Sequence, residues 1–92
     1  MAVFLVTFEV RDVERHKMFI ESLKAYGSYC PINSSSWAIV SNNDASGILQ
    51  QLIKNLDPIL DKIFILKAGS EASWRNTYGE ANEQWLKKHI LT

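Results

Sequence analysis

The chain has 92 residues, 47% hydrophobic and 22% charged, too few to divide into two independently stable units and too apolar for a disordered segment. Ten acidic and ten basic residues leave no net charge, which excludes a global field drawing the chain to nucleic acid or an anionic membrane, so any such contact must be local. One cysteine, Cys30, excludes an internal disulfide and a cysteine metal cluster and fits a reducing cytoplasm.

Residues 2–9 are β-branched and aromatic with almost no polar break, which predicts a first strand central in its sheet and covered on one face. Its uninterrupted apolar run is too short for a membrane span or a signal peptide, so a soluble cytoplasmic protein without a membrane partner is expected. From Asp12 the pattern turns helical. Val13, Phe19, Ile20, Leu23 and Tyr26 share one side of a wheel, while Glu14, Arg15, Glu21 and Lys24 take the other. Asp12 as N-cap and Gly27 as stop give a helix over about 12–26.

Two short β-prone runs, 28–32 and 37–41, flank the polar turn Asn33-Ser34-Ser35-Ser36 and predict a hairpin. Pro31 cannot donate to a ladder, so its strand is expected at an edge, or bulged there. Asn42-Asn43-Asp44 caps a second helix whose apolar stripe is Ile48, Leu49, Leu52, Ile53 and Leu56, and Asp57-Pro58 ends it. Residues 62–67, "KIFILK", read as a fourth strand leaving at Gly69-Ser70.

The order β-α-β-β-α-β predicts an α+β, ferredoxin-like fold, with two helices on one face of a four-stranded antiparallel sheet. A single domain over 1–92 is expected, with a core of about 1–68 and a C-terminal tail and helix of about 69–92. The tail carries Trp74, Tyr78 and a helical pattern from Asn82 to Ile90 with Trp85, Leu86 and Ile90 on one side. That apolar area must be covered, either by the open sheet face or by a second subunit.

Sites of chemistry are few. The serines at 34–36 read as turn residues bonding their own backbone. His16 falls on the apolar side of the first helix and His89 in the last turn of the final one, where a positive group complements the helix dipole. Neither has a second ligand at a spacing that zinc needs. Trp37, in the third strand, is expected to pack against the tail or a partner, and it joins Trp74, Tyr78 and Trp85 as the predicted interface set. Glu9, at the end of the first strand, has two readings. Paired with its symmetry mate in a dimer and supplemented by Asp12, it could hold Mg²⁺ or Mn²⁺ and act as the catalytic carboxylate. Alternatively, Arg11 and Arg15 neutralise Glu9 and Asp12 as surface ion pairs.

The stretches "FLVTFEV", "SSSWAIVS", "DKIFILKAG" and "SWRNTYGEANEQWLKKHI" resemble a group of small bacterial SinR-like proteins. That group is similar in fold to the small subunit of the CRISPR spacer-integration complex and to related ribonuclease-like toxins. The resemblance implies a dimer and, for the metal-dependent nucleases among these relatives, an aspartate in a Tyr-Asp setting at the end of strand 1. Here the pair reads Phe8-Glu9, which keeps a carboxylate on a longer arm. The relatives' third strand opens Ser-x-Trp or Ser-x-Phe, and Ser35-Ser36-Trp37 fits that pattern.

Three functions follow as expectations. The preferred one is a non-catalytic homodimeric interaction module that binds a protein partner, in a bacterial or phage defence or counter-defence system. The second is a metal-dependent endonuclease, acting on RNA or DNA through Glu9 of two subunits. The third is a nucleic-acid-binding subunit without chemistry, using Arg11, Arg15, Arg75, Lys87 and Lys88 as a local basic patch.

Overall fold

Residues 1–90 are described in the computed structural model. Their order is β1 (Ala2–Glu9), α1 (Val13–Lys24), β2 (Tyr29–Asn33), β3 (Ser36–Ser41), α2 (Ala45–Leu52) with a one-turn 3₁₀ continuation (Ile53–Asn55), β4 (Lys62–Lys67) and α3 (Glu80–His89). The four strands form one sheet in the order β2-β3-β1-β4, and every neighbouring pair is antiparallel. This is the ferredoxin-like α+β arrangement, with β1 central as its apolar run predicts. The last two positions of the expected tail, 91 and 92, lie outside the described residues.

Local chemistry sets the helix ends. Asp12 is the N-cap of α1, its Oδ2 accepting from the Arg15 backbone N–H at 2.9 Å, and Asp44 caps α2 by accepting from the Gly47 N–H at 2.8 Å. Both satisfy an orphan donor of the first turn. After α1, Gly27 adopts φ 84° and its N–H reaches the Lys24 carbonyl, a left-handed position that costs a residue with a Cβ. Val13 departs from the expected apolar side of α1 and is 77% exposed. It is the first helical residue, and the core residues of α1 begin only at Phe19. The apolar stripe of α2 is broken where the chain tightens into the 3₁₀ turn and leaves Ile53 exposed, and it resumes at Leu56, partly buried against the main core.

Alternation along β1 assigns the two faces. Phe4, Val6 and Phe8 are buried and join Phe19, Leu23, Trp37, Ile39, Ile48 and Leu52 in the main core beneath α1 and α2. Each large apolar side chain buried there contributes roughly 1.5–3 kcal/mol. Trp37, expected against the tail or a partner, packs instead into this main core, stacked on Tyr29 with ring centroids 5.4 Å apart. Its register opposite Val6 puts its side chain on the helix-covered face.

The other face carries a second, smaller cluster of Cys30, Ala38 and Leu86, with Val3, Ile32, Trp74, Trp85 and Ile90 packed around it. The tail therefore covers part of the open sheet face, one of its two expected destinations. Leu86 is the buried anchor of α3. Polar ties support it: Asn82 Nδ2 donates to the Pro31 carbonyl at 3.0 Å, and Trp85 Nε1 donates to Ser28 Oγ at 3.2 Å.

Candidate functional site

The two edges of the sheet are treated differently. At β2 the ladder is interrupted between Pro31 and Asn33, so the strand is both an edge and bulged, and Asn82 of α3 bonds the Pro31 carbonyl beside it. A bulge, a proline and a covering helix are the usual means of blunting an edge. At β4, among the described residues, none of these three is present. Here Phe64 is 62% and Leu66 53% exposed, and both project from the face that the tail covers elsewhere, since they pair with Thr7 and Leu5 of β1.

Backbone polarity at β4 follows from the ladder. The Ala68 N–H donates to the Val3 carbonyl at 2.8 Å, which makes that pair a hydrogen-bonded one. Antiparallel alternation then directs the backbone groups of Lys62, Phe64 and Leu66 inward to β1, and those of Ile63, Ile65 and Lys67 outward, away from the sheet. The segment before β4 adds Ile59 and Leu60, 86% and 66% exposed.

Between the tail and the sheet lies a cavity of about 390 Å³ whose apolar walls include Val3, Leu5, Ala38, Leu66, Trp74 and Leu86. Lys67, Glu71 and Arg75 also border it, and all three are exposed.

Glu9 stands at the far end of β1, opposite Lys62. Its Oε2 lies 3.0 Å from Arg11 and 3.9 Å from Lys62, so the carboxylate faces two cations. Asp12 uses its Oδ2 on the helix cap and also meets Arg15 Nη1 at 3.9 Å. Among the described residues, no three His, Cys, Asp or Glu side chains gather into a group that could hold a metal ion. A divalent cation at Glu9 would meet two positive side chains already beside its Oε2.

Arg15 is committed elsewhere. Its Nε donates to Asp61 Oδ2 at 2.8 Å and its Nη2 to Oδ1 at 3.2 Å, a bidentate pair in which the Asp61 side chain is only 1% exposed. The hydrogen bond from Arg15, then that from the Asp57 N–H, holds the Asp61 carboxyl below its ordinary value. Asp57 is lowered in turn by the N–H groups of Leu60 and Ile59. This network fastens the loop before β4 to α1 and so positions the start of the exposed strand. Asp61 was not singled out in the sequence, where its only signal is a polar residue four places after Asp57.

The five basic residues do not converge on one patch. Arg11 and Arg15 are paired with Glu9 and Asp61 at the β1–α1 junction, Arg75 lies at the tail cavity, and Lys87 and Lys88 are in the last turn of α3. Of the four aromatic residues predicted for an interface, Trp37 is in the main core and Trp74 and Trp85 pack against the tail-side cluster. Tyr78 is 66% exposed. His89 packs on Trp85, with ring centroids 4.4 Å apart, and His16 lies 6.0 Å from Phe8. Cys30 is buried, and that burial raises its thiol pKa.

No family model matches the chain, and no curated protein matches it. Among the described residues, no helix is long and apolar enough to cross a membrane.

Proposed function

We propose that this chain is a non-catalytic interaction module that works as a homodimer. The observation that carries the reading is β4, an edge strand that turns Phe64 and Leu66 to solvent and directs a row of backbone donors and acceptors outward. The surroundings of Glu9 support a non-catalytic role, because its carboxylate is engaged by Arg11 and Lys62. Service in a bacterial or phage defence system, and kinship with the SinR-like proteins, belong to the same proposal and rest on the sequence resemblance.

Light scattering on the purified chain tests the assembly, with a dimer expected at micromolar concentration and a strict monomer overturning it. Incubation with labelled RNA and DNA plus Mn²⁺ or Mg²⁺ tests the chemistry beside Glu9→Ala. No cleavage is expected from either protein. Cleavage that disappears in the variant would establish a metal-dependent nuclease instead.

A further inference from the structure

Resting on the homodimer reading, we infer that the partner docked at β4 is the β4 of a second copy, paired antiparallel about a two-fold axis through Ile65. The outcome is one continuous eight-stranded sheet.

The argument begins with which groups are free to bond. Ile63, Ile65 and Lys67 direct their N–H and C=O groups outward, and a symmetric antiparallel pair must let these groups meet. It must also set like faces of the two sheets side by side, because residues directly opposite each other share a face. Registers centred on residues 64, 65 and 66 satisfy both conditions. Centred on Ile65, residue 63 faces 67 of the other copy, 65 faces itself and 67 faces 63. That makes three hydrogen-bonded pairs and about six backbone hydrogen bonds. Shifting the centre by one residue either way leaves fewer of the outward groups of β4 matched.

Side chains select the same register. Centred on Ile65, the exposed Phe64 of each copy lies opposite the exposed Leu66 of the other, in the closer, non-hydrogen-bonded type of pair. Two apolar side chains that each monomer leaves in water are thereby covered twice over, beside Leu5 of each protomer. Centred on Phe64, Lys62 would face Leu66. Centred on Leu66, Phe64 would face Ala68 and leave most of its ring uncovered. In the Ile65 register Lys62 meets Ala68 and Lys67 meets Ile63, so no like charges oppose each other.

The arrangement also closes on itself. Each outer edge of the eight-stranded sheet is a β2, interrupted at Pro31 and flanked by α3, so growth stops at two copies instead of continuing into a fibre.

Phe64→Cys and Leu66→Cys, both at exposed positions, provide the test, with Cys30 left in place because it is buried. Across the inferred pair the Cα atoms are about 4.5 Å apart, within disulfide reach, whereas each position lies about 7–8 Å from its own symmetry mate. Mild oxidation of the two variants mixed together should give several-fold more intermolecular disulfide than either variant alone. Equal or stronger cross-linking of Phe64→Cys alone, or of Leu66→Cys alone, would overturn the register. No cross-link in any sample whose light scattering shows a dimer would overturn edge pairing while leaving the homodimer standing. A strict monomer in every sample would overturn both.

Discussion

Leu86→Ala tests whether the tail is a structural part of the sheet or a loose appendage. Leu86 is 4% exposed and is the buried residue of α3, in contact with the cluster of Cys30 and Ala38. Removing three buried carbons forfeits roughly 2.4 kcal/mol at about 0.8 per group, and a cavity term adds to this. The site already borders a space of about 390 Å³, so neighbouring atoms can relax into the gap and the cavity term stays small. The expected loss is therefore about 2–3 kcal/mol, in the lower half of the Leu→Ala range. Against a total of roughly 5–14 kcal/mol for a domain of this length, it should lower the melting temperature by roughly 10–20 °C. Urea unfolding measures the loss, and limited proteolysis between residues 69 and 79 should quicken as α3 releases. Emission from Trp74 and Trp85 should shift to longer wavelength before that of Trp37, which sits in the other core. Lys87→Ala, on an exposed position of the same helix, should change stability by less than about 0.5 kcal/mol. A Leu86→Ala loss below about 1 kcal/mol, or one matched by Lys87→Ala, would refute the packing of the tail on the sheet.

Acid should weaken the fold through the loop before β4. Asp61 and Asp57 have folded pKa values below their ordinary ones. Their stabilisation is thus complete above the unfolded carboxylate range near about pH 4 and is lost as pH falls through the depressed folded values. The urea midpoint should drop through that window, and Asp61→Asn should start lower at neutral pH and fall less. Parallel pH curves for the two proteins would contradict the role of the Arg15–Asp61 pair. Gly27→Ala should cost about 1–2 kcal/mol, because φ 84° is left-handed backbone. Its cost comes from backbone strain alone, since an added Cβ there meets nothing within 4 Å. Gly69→Ala, where an added Cβ also meets open space and φ is not left-handed, should be close to neutral by thermal unfolding.

What could be read in the residues was whatever depends on near neighbours. Asp12 and Asp44 announce their caps because the accepting carboxylate and the donor N–H are three residues apart. The order of strands and helices then selected the sheet topology, since few arrangements satisfy it. Which face of a strand meets which layer was beyond reach wherever both faces are apolar. In "SWAIVS" Trp37 and Ala38 are both buried, one under the helices and the other under the tail. Alternation carries no sign there, so the strand alone does not tell that Trp37 faces the helices instead of the tail or a partner.

The same ambiguity hid the most exposed strand of the sheet. "KIFILK" reads as a continuous apolar strand, the pattern of one buried on both faces, yet Phe64 and Leu66 stand in solvent. Whether they are covered depends on how far the tail that follows β4 folds back across the sheet, a tertiary fact that the strand itself does not mark. One local mark was present, however. Lysines at both ends of the strand, Lys62 and Lys67, are the composition of a managed edge and not of a central strand. They limit how far such a strand can slide while leaving its apolar centre available. The lysines flank the apolar centre of β4 without covering it, whereas the proline, bulge and covering helix at β2 interrupt the ladder itself.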